Sequence, residues 1–374
     1  MKILLLHASA GAGHQRAAEA IAHALVERHP GVEVVVRDLL QFTSPVFRTT
    51  YAKGYLNLVR RAPELWGYLY NRADRHSQTP LRRRLRAVFN RINTRSFQGF
   101  FRDQAPDAVV CTHFMPLQIV AAMIGEGRTA VPLHCVVTDF AVHSLWLEPR
   151  VNGWFVATSE ASRFLRRQGV DPATIRVTGI PVDPVFLGPD RRVEIRRELG
   201  LDPSAPVALV LSGGFGVGPT VDLVRSFAVN PAGVQLLVVA GRNPKLHSRI
   251  QAAAAGLSTP VRVFGFVNTI ERLMDAADLV VTKPGGLTTS ETLARGRPCV
   301  LIDPIPGQEQ RNSDYLLEQG AAVRLHEAAD APFKLQRLFE DRSRMDRLRA
   351  NVARIAHPQA AYEIADAAVA AAAG

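Results

Sequence analysis

Short apolar runs alternate with longer stretches of helical periodicity along most of the chain. In the first half, the apolar runs predict six strands, at residues 3–6, 32–36, 108–111, 133–138, 153–157 and 175–178. In the second half they predict five more, at residues 207–211, 235–240, 261–264, 279–282 and 299–302. Helical periodicity lies between the strands and is clearest at residues 16–28, 342–355 and 359–373. This alternation is typical of βαβ units, so it predicts an α/β fold built on parallel sheets.

The alternation restarts after a polar and proline-bearing stretch over residues 183–205. A chain of 374 residues also exceeds the size of one ordinary core. The sequence therefore predicts two doubly wound domains, residues 1–186 and residues 187–374. Ligands of such domains bind at the carboxyl ends of the strands, which predicts a site in a cleft between the two domains.

Composition excludes several classes of protein. Hydrophobic residues make up 47% of the chain, which is a globular composition. Cys111, Cys135 and Cys299 are widely spaced, which argues against a disulfide framework or a zinc knuckle and for a reducing cytoplasm. The apolar run at the N-terminus ends at His7, and no stretch reaches about 18 apolar residues. We therefore expect neither a signal peptide nor a transmembrane helix.

The net charge of +11 is concentrated in one segment of the first domain. Residues 48–102 contain thirteen Lys and Arg against two acidic residues, an excess equal to that of the whole chain. Aromatic residues are interleaved with these charges, namely Tyr51, Tyr55, Trp66, Tyr68, Tyr70, Phe89, Phe97, Phe100 and Phe101. This pattern predicts an insertion that binds an anionic membrane through Trp66 and four arginines, Arg82, Arg83, Arg84 and Arg86. A solvated helix face and a nucleic-acid surface are the alternatives.

A glycine turn with a histidine follows the first predicted strand. Gly11-Ala12-Gly13-His14 opens the first helix, where glycines allow close backbone approach and unpaired N–H groups face an anion. Arg16 stands where the dinucleotide fingerprint needs a third glycine, which argues against a nicotinamide or flavin site. His14 is therefore either a functional histidine at the predicted site or a helix cap.

The second half contains three clusters that suit a nucleotide and a sugar. Residues 212–218 form a glycine loop after a strand, but they lack the Gly-Lys-Ser/Thr ending of an ATPase loop. Residues 283–291 join a strand to a helix with glycines and hydroxyls, and Glu291 suits two ribose hydroxyls or a helix capping box. Residues 304–310 add a Gln-Glu-Gln group after the last predicted strand. A nucleic-acid-binding function leaves these clusters unexplained.

Taken in order along the chain, these motifs resemble glycosyltransferase family 28. The resemblance is to monogalactosyldiacylglycerol synthases and bacterial processive diacylglycerol glucosyltransferases. It rests on segments that span nearly the whole chain, namely residues 11–14, Val137-Thr138-Asp139-Phe140 with His143 and Trp146, 155–158, 177–181, 264–267, 283–291 and 306–309.

The resemblance implies a GT-B fold, two Rossmann-like domains with an interdomain cleft, and a UDP-sugar held by the second domain. It implies a donor site formed by Gly213, Gly214, Phe266, Val267, Gly285, Gly286, Thr288, Glu291, Gln308 and Glu309. Uracil is expected near Phe266 and Val267, ribose on Glu291, and the sugar on Gln308 and Glu309. No metal ion or other cofactor is expected, because helix dipole and backbone amides neutralise the leaving diphosphate. The final helix, from about residue 359, is expected to pack on the N-terminal domain.

The same resemblance implies an acceptor site in the first domain. A hexose from UDP-glucose or UDP-galactose is expected to pass with inversion to the hydroxyl of diacylglycerol, at the cytoplasmic face of the membrane. His14 is the first candidate for the general base and Asp139 the second, with a His14–Asp139 dyad as a further arrangement. The expected acceptor-side residues are Gly13, His113, His143 and Trp146.

Two other functions remain open within this fold. One is a lipid-linked cell-wall precursor N-acetylglucosaminyltransferase, and the other is a UDP-sugar epimerase.

The chain also departs from the family pattern in two places. Ala8, Ser9 and Ala10 stand where several plant-type members carry an acid and a hydroxyl residue, and the loop at 213–218 lies between the glucosyl and galactosyl patterns. The second departure leaves the identity of the hexose open.

Overall fold

The structure is a computed structural model that describes residues 1–9, 12–45, 47, 64, 67, 95–213, 216, 218–230 and 232–374. These residues form two compact units. The first unit comprises Met1–Pro184, Pro306–Gln308 and His357–Gly374, and the second comprises Val185–Ile305 and Glu309–Ala356. The chain thus leaves the first unit at Pro184, close to the boundary predicted after residue 186.

The first unit is built on a parallel sheet of six strands. The strands are β1 (Lys2–His7), β2 (Glu33–Asp38), β3 (Ala108–Cys111), β4 (Leu133–Val136), β5 (Gly153–Val156) and β6 (Ile175–Val177). Their order in the sheet is β2-β1-β3-β4-β5-β6. Strands β1, β3, β4 and β5 are almost entirely buried, as expected for parallel strands covered on both faces.

The second unit contains another parallel sheet of six strands. They are β7 (Val207–Leu211), β8 (Gln235–Val239), β9 (Val261–Phe264), β10 (Leu279–Thr282), β11 (Cys299–Ile302) and β12 (Ala322–Leu325). Their order is β12-β11-β10-β7-β8-β9. Because the strands are parallel, the loops after β7, β8, β9, β10 and β11 all leave the same, carboxyl edge of this sheet.

Helices connect the strands in both units. Those in the described parts of the first unit and in the connection to the second are α1 (Ala12–Arg28), α2 (Arg95–Gln104), α3 (Phe114–Gly125), α4 (Ser159–Arg167) and α5 (Arg192–Glu198). The chain continues with α6 (Thr220–Ser226), α7 (Pro244–Ala254), α8 (Ile270–Ala276), α9 (Gly286–Ala294), α10 (Gln308–Glu318), α11 (Ala331–Glu340), α12 (Arg342–Ile355) and α13 (Ala360–Ala373). Short 3₁₀ turns lie at Leu39–Phe42, Ser144–Trp146, Pro172–Thr174, Pro184–Leu187 and Ala328–Asp330.

All eleven strands expected from the apolar runs are present, but the sequence reading missed β12. This edge strand is a short run that contains Arg324, whose guanidinium donates a hydrogen bond to Ser313 at 3.0 Å. A charged residue inside a four-residue apolar run hides the period-2 signal, because the partner that satisfies the charge is not visible in the sequence.

The end of the basic segment is a core element rather than a membrane surface. Helix α2 begins at Arg95, and its Phe97 and Phe101 are buried in the hydrophobic core of the first unit. Phe100 packs on Phe42 with ring centroids 4.7 Å apart. These three aromatic residues of the basic segment therefore pack beside the 3₁₀ turn at Leu39–Phe42, in or against the core of the first unit.

The polar stretch at 183–205 folds mostly as part of the second unit. Arg196 of α5 is 3% exposed, and its guanidinium bonds to the carboxylate of Asp278 at 2.8 Å and to the carbonyl of Ala276. Asp278 also accepts from the backbone N–H of Val207. A buried arginine paired in this way fixes the segment to the start of β7, because separating the pair would leave a buried charge without a partner.

The C-terminal helix α13 packs against α1 in the first unit. Tyr362 donates a hydrogen bond to Glu27 at 2.7 Å, and Arg28 lies over the Tyr362 ring at 4.3 Å. Asp366 accepts from both Arg28 and His29. The far C-terminal residues therefore complete the layer of helices on the first sheet.

Candidate active site

His14 lies near the start of α1, where the chain turns back from β1. Its ring Nδ1 is 2.8 Å from the carbonyl oxygen of Thr112 and 2.9 Å from the hydroxyl of Thr138. Thr112 follows β3 and Thr138 follows β4, so the ring is held at the carboxyl edge of the first sheet. The Thr112 hydroxyl also donates to the carbonyl of His14 at 2.8 Å, which fixes the first turn of α1.

These contacts determine which nitrogen of His14 is basic. A carbonyl oxygen only accepts hydrogen bonds, so the ring proton must be on Nδ1, which donates to Thr112 O and shares the proton with Thr138 Oγ1. The lone pair of neutral His14 is therefore on Nε2. A backbone carbonyl that fixes the tautomer in this way is a common arrangement for histidines in proton transfer.

Burial keeps His14 neutral. Burial lowers the pKa of His14 below its ordinary value, while the Asp139 carboxylate and the hydrogen bond to Thr112 raise it. Asp139 is half-buried directly after Thr138. The predicted pair of His14 and Asp139 is thus brought together electrostatically, while Thr112 and Thr138 hold the ring at Nδ1. Sequence reasoning missed this role of the two threonines, although Thr112 directly follows one predicted strand and Thr138 is the last residue of another.

Two other predicted acceptor-side histidines are helix caps. His113 accepts the N–H of Met115 at 3.0 Å and begins α3, and His143 accepts the N–H of Leu145 at 3.0 Å before the 3₁₀ turn at 144–146. Both are buried, and burial lowers the pKa of His113 well below its ordinary value. Their Nδ1 atoms accept hydrogen bonds, so their ring protons are on Nε2.

The predicted acceptor-side residues nevertheless surround His14. The His113 ring lies edge-on to the His14 ring at 4.6 Å, and Trp146 is 6.4 Å from both rings. Phe114 stacks on His113 at 4.3 Å. Gly13 precedes His14 in the first turn of α1. Aromatic rings therefore surround His14, the candidate base. Sequence reasoning did not include Phe114 among them.

His7 is a buried histidine that sequence reasoning did not single out. It ends β1 opposite Asp38 of β2, and among the described residues its Nδ1 has no hydrogen-bond partner. Burial lowers the pKa of His7, while the Asp38 and Glu19 carboxylates raise it. A polar residue at a strand's carboxyl end is the signal that would have identified it.

In the second unit, the predicted donor residues occupy loops at one sheet edge. Gly213 follows β7 with a φ of +72°, a conformation that favours glycine. Phe266 and Val267 follow β9, and Phe266 is 50% exposed. Gly214 lies outside the described residues. Gly216 sits so close to the turn after β8 that a Cβ there would be 2.8 Å from the carbonyl oxygen of Ala240.

The segment after β10 turns directly into α9. Gly285 caps the helix, Gly286 is its first residue, and Thr288 is half-buried in the first turn. Glu291 is 2% exposed on the same helix. Lys283, which precedes this turn, is paired with Asp303 at 2.8 Å. Among the described residues, no side-chain cap occupies the first N–H groups of α9, and the phosphate site at this helix start stays a prediction.

The cluster after β11 is fixed to this turn by a residue that sequence reasoning missed. Asn312 is fully buried and donates to the carbonyl of Pro284 at 3.1 Å. Glu309 accepts the N–H of Ile305 at 2.9 Å and lies beside Gly285. Gln308 is the half-buried first residue of α10 and is grouped with the first unit. The predicted sugar residue Glu309 and the predicted phosphate turn are therefore neighbours.

The predicted membrane-binding residues, Trp66, Arg82, Arg83, Arg84 and Arg86, lie outside the described residues. Among the helices that the structure describes, none has the length and apolar character needed to cross a bilayer.

Two family models match the chain and together span most of it. The model of the monogalactosyldiacylglycerol (MGDG) synthase family matches residues 14–182. The model of the glycosyltransferase family 28 C-terminal domain matches residues 210–368. The resemblance to family 28 glycosyltransferases is confirmed.

Individual proteins extend this glycosyltransferase comparison. A processive diacylglycerol beta-glucosyltransferase of Bacillus cytotoxicus is 29% identical over 367 residues, which cover 98% of this chain and 92% of that protein. The crystal structure of MurG from Acinetobacter baumannii matches with a TM-score of 0.61 at 14% identity and covers 99% of each chain. HepE of Anabaena, solved with UDP, matches with a TM-score of 0.56 at 18% identity, covering 99% of this chain and 100% of that one. The fold of this chain is GT-B, as expected.

Proposed function

We propose that this chain transfers a hexose from a UDP-sugar to the hydroxyl of diacylglycerol, with inversion and without a metal cofactor. The supporting comparison is the relative named processive diacylglycerol beta-glucosyltransferase, together with the MGDG synthase family match. The observation that carries the chemistry is the tautomer of His14, because a neutral imidazole with a committed Nδ1–H presents Nε2 as a base.

In the proposed transfer, the acceptor hydroxyl loses one proton and UDP is the leaving group. Nε2 of His14 takes the proton of the acceptor hydroxyl as the oxygen attacks the anomeric carbon of the sugar. The bond between that carbon and the diphosphate oxygen breaks, and UDP leaves with the electron pair. An α-linked donor then gives a β-linked product, which agrees with the beta product in the name of the relative.

The second unit supports the donor half of this proposal. The leaving diphosphate gains negative charge, and the N-terminus of α9 offers N–H groups and a positive dipole end to it. Glu291 is a buried carboxylate on that helix, and it is the residue that we propose for the two ribose hydroxyls. Glucose is the proposed hexose, because the relative is a glucosyltransferase by name.

The proposed acceptor also determines where in the cell the enzyme acts. Diacylglycerol stays in the bilayer, so the enzyme must bind the membrane surface to reach it. The segment at residues 48–94 carries basic and aromatic residues of the type that binds an anionic interface. We propose that the protein is peripheral and acts at the cytoplasmic face.

The decisive assay supplies UDP-glucose, UDP-galactose or UDP-N-acetylglucosamine with anionic vesicles that contain diacylglycerol. We expect β-glucosyldiacylglycerol with UDP-glucose, identified by mass spectrometry and NMR of the lipid, with equal turnover in EDTA. Formation of no glycolipid from either hexose donor would contradict the proposal. Conversion of UDP-N-acetylglucosamine alone into its epimer would favour the epimerase alternative.

The role of His14 needs its own variant. His14→Ala should lower kcat by at least about a hundredfold, the usual size of general-base catalysis, and leave UDP affinity within about twofold. His23→Ala, on the same helix but hydrogen-bonded to Asp183, is the matched control and should keep wild-type turnover. Loss of UDP affinity with normal turnover in His14→Ala would contradict the assignment.

A further inference from the structure

Arg242 is an arginine that the donor site described above does not use. It follows β8 at the carboxyl edge of the second sheet, beside the loop of β9 that carries Phe266. Its guanidinium carbon lies 4.3 Å over the centre of the Phe266 ring. Both side chains are exposed, so the stack is on the surface that the loops of this edge present.

The backbone around Arg242 is tightly fixed. Gly241 has a φ of +67°, and Asn243 caps α7 by accepting the N–H of Leu246 at 3.0 Å. Asn243 also donates to the carbonyl of Gly216 in the glycine loop at 3.4 Å. A Cβ on Gly216 would be 2.8 Å from both the carbonyl oxygen of Ala240 and the Cβ of Asn243, so the glycine loop packs closely on this turn. Arg242 therefore stands at a fixed distance from the glycine loop.

Arg242 and Lys283 are both basic residues near the glycine loop, but they differ in their ion pairs. Lys283 also touches the glycine loop, since a Cβ on Gly218 would be 3.2 Å from its Cε, but Asp303 already neutralises it. No carboxylate among the described residues forms an ion pair with Arg242. The guanidinium therefore brings an uncompensated positive charge to the side of the glycine loop.

Stacking leaves the guanidinium able to bind an anion. An arginine that stacks on an aromatic ring does so with the flat face of its guanidinium, which keeps the in-plane N–H donors available to another partner. Those donors match two oxygens of a phosphate. We propose that Arg242, held in place by Phe266, binds the diphosphate of the nucleotide donor, an inference that rests on the proposed function.

The test measures binding of uridine, UMP and UDP by calorimetry. Arg242→Gln should weaken UDP by about ten- to a hundredfold, as expected for hydrogen bonds to a charged partner, and leave uridine within about twofold. Arg242→Lys should restore part of the loss. Arg249→Gln removes the same charge from exposed α7 and should bind all three ligands like the wild type.

Two results would overturn the inference while leaving the proposed function in place. One is wild-type UDP affinity in Arg242→Gln, which would make the stack a cover for an exposed phenylalanine only. The other is an equal loss for uridine and UDP, which would mean that Arg242 contacts the base or supports the fold. If the wild type itself binds no UDP, the proposed function fails, and this inference fails with it.

Discussion

A histidine acts as a base only while one ring nitrogen is unprotonated. Two features of the surroundings of His14 shift its pKa in opposite directions. Burial lowers its pKa, whereas the carboxylate of Asp139 raises it. Because the net shift is downward, His14 is neutral at physiological pH and Nε2 is available. Because the Asp139 carboxylate raises the pKa of the ring, Nε2 stays basic enough to accept a proton.

Asp139→Asn tests this balance through the pH profile. Removing the carboxylate removes a contribution that raises the pKa of His14, so the acid limb of kcat/KM should move to lower pH. The measurement is kcat/KM for UDP-glucose between about pH 5 and 8. Asp107→Asn, at an exposed residue before β3, is the control and should keep the wild-type limb. An unshifted limb with lost activity would give Asp139 a different role.

The residues of the site differ in how far the sequence reveals them. His14 was predictable because a glycine turn after a strand has a recognisable pattern. The hydrogen bond that orients its ring was not predictable, because the acceptor is the backbone carbonyl of Thr112 and every residue type has such a carbonyl. His113 caps α3 and His143 caps the 3₁₀ turn at Ser144–Trp146, and only the structure shows where these two elements begin.

At the scale of the elements, apolar periodicity predicted all but one strand, because buried parallel strands are continuous apolar runs. It did not predict β12 or the core role of α2. The aromatic residues of α2 belong in sequence to the basic segment, and only packing against Phe42 separates them from it. Composition describes a segment as a whole, whereas burial is decided residue by residue.

The packing of β4 against β5 allows a test at one glycine. Gly153 is paired with His134, and a Cβ there would overlap the buried Nδ1 of that histidine. Gly153→Ala should therefore destabilise the protein by about 1–3 kcal/mol, measured by urea unfolding. His134→Ala in the same background should relieve the overlap, so the two changes should be non-additive.

Gly99→Ala is the control for this substitution. A Cβ at Gly99 of α2 would have no atom within 4 Å, so the change should be neutral or stabilising by up to about 1 kcal/mol. An equal loss of stability in Gly99→Ala and Gly153→Ala would show that the overlap with His134 is not the cause.

At the scale of the whole molecule, the excess of positive charge belongs to one segment. If residues 82–86 bind a membrane, replacing Arg82, Arg83, Arg84 and Arg86 with Gln should weaken binding to anionic vesicles by about tenfold or more. UDP affinity should not change. Replacing the same number of arginines on α12, namely Arg342, Arg344, Arg347 and Arg354, is the control for net charge. An equal loss of vesicle binding in both variants would show that net charge, and not this cluster, attracts the protein to the membrane.

Acid stability of the molecule depends on buried histidines in the first unit. Burial lowers the pKa of His7, His14 and His113, and it lowers that of His134 to about 4. These groups are neutral in the folded protein, whereas the unfolded chain takes up protons near pH 6.5. The stability that they contribute is therefore complete above about pH 6.5 and is lost as pH falls from there toward the folded pKa values.

His134→Leu isolates one of these contributions. Neither ring nitrogen of His134 has a hydrogen-bond partner among the described residues, so the variant removes an unsatisfied buried group and should be at least as stable at pH 7. The wild type should lose about 3 kcal/mol more than the variant between pH 6.5 and 4, measured by urea unfolding. His326→Gln, at an exposed histidine, should keep the wild-type slope. If His134→Leu and the wild type lose stability equally, His134 is protonated in the folded state, and the acid sensitivity comes from other groups.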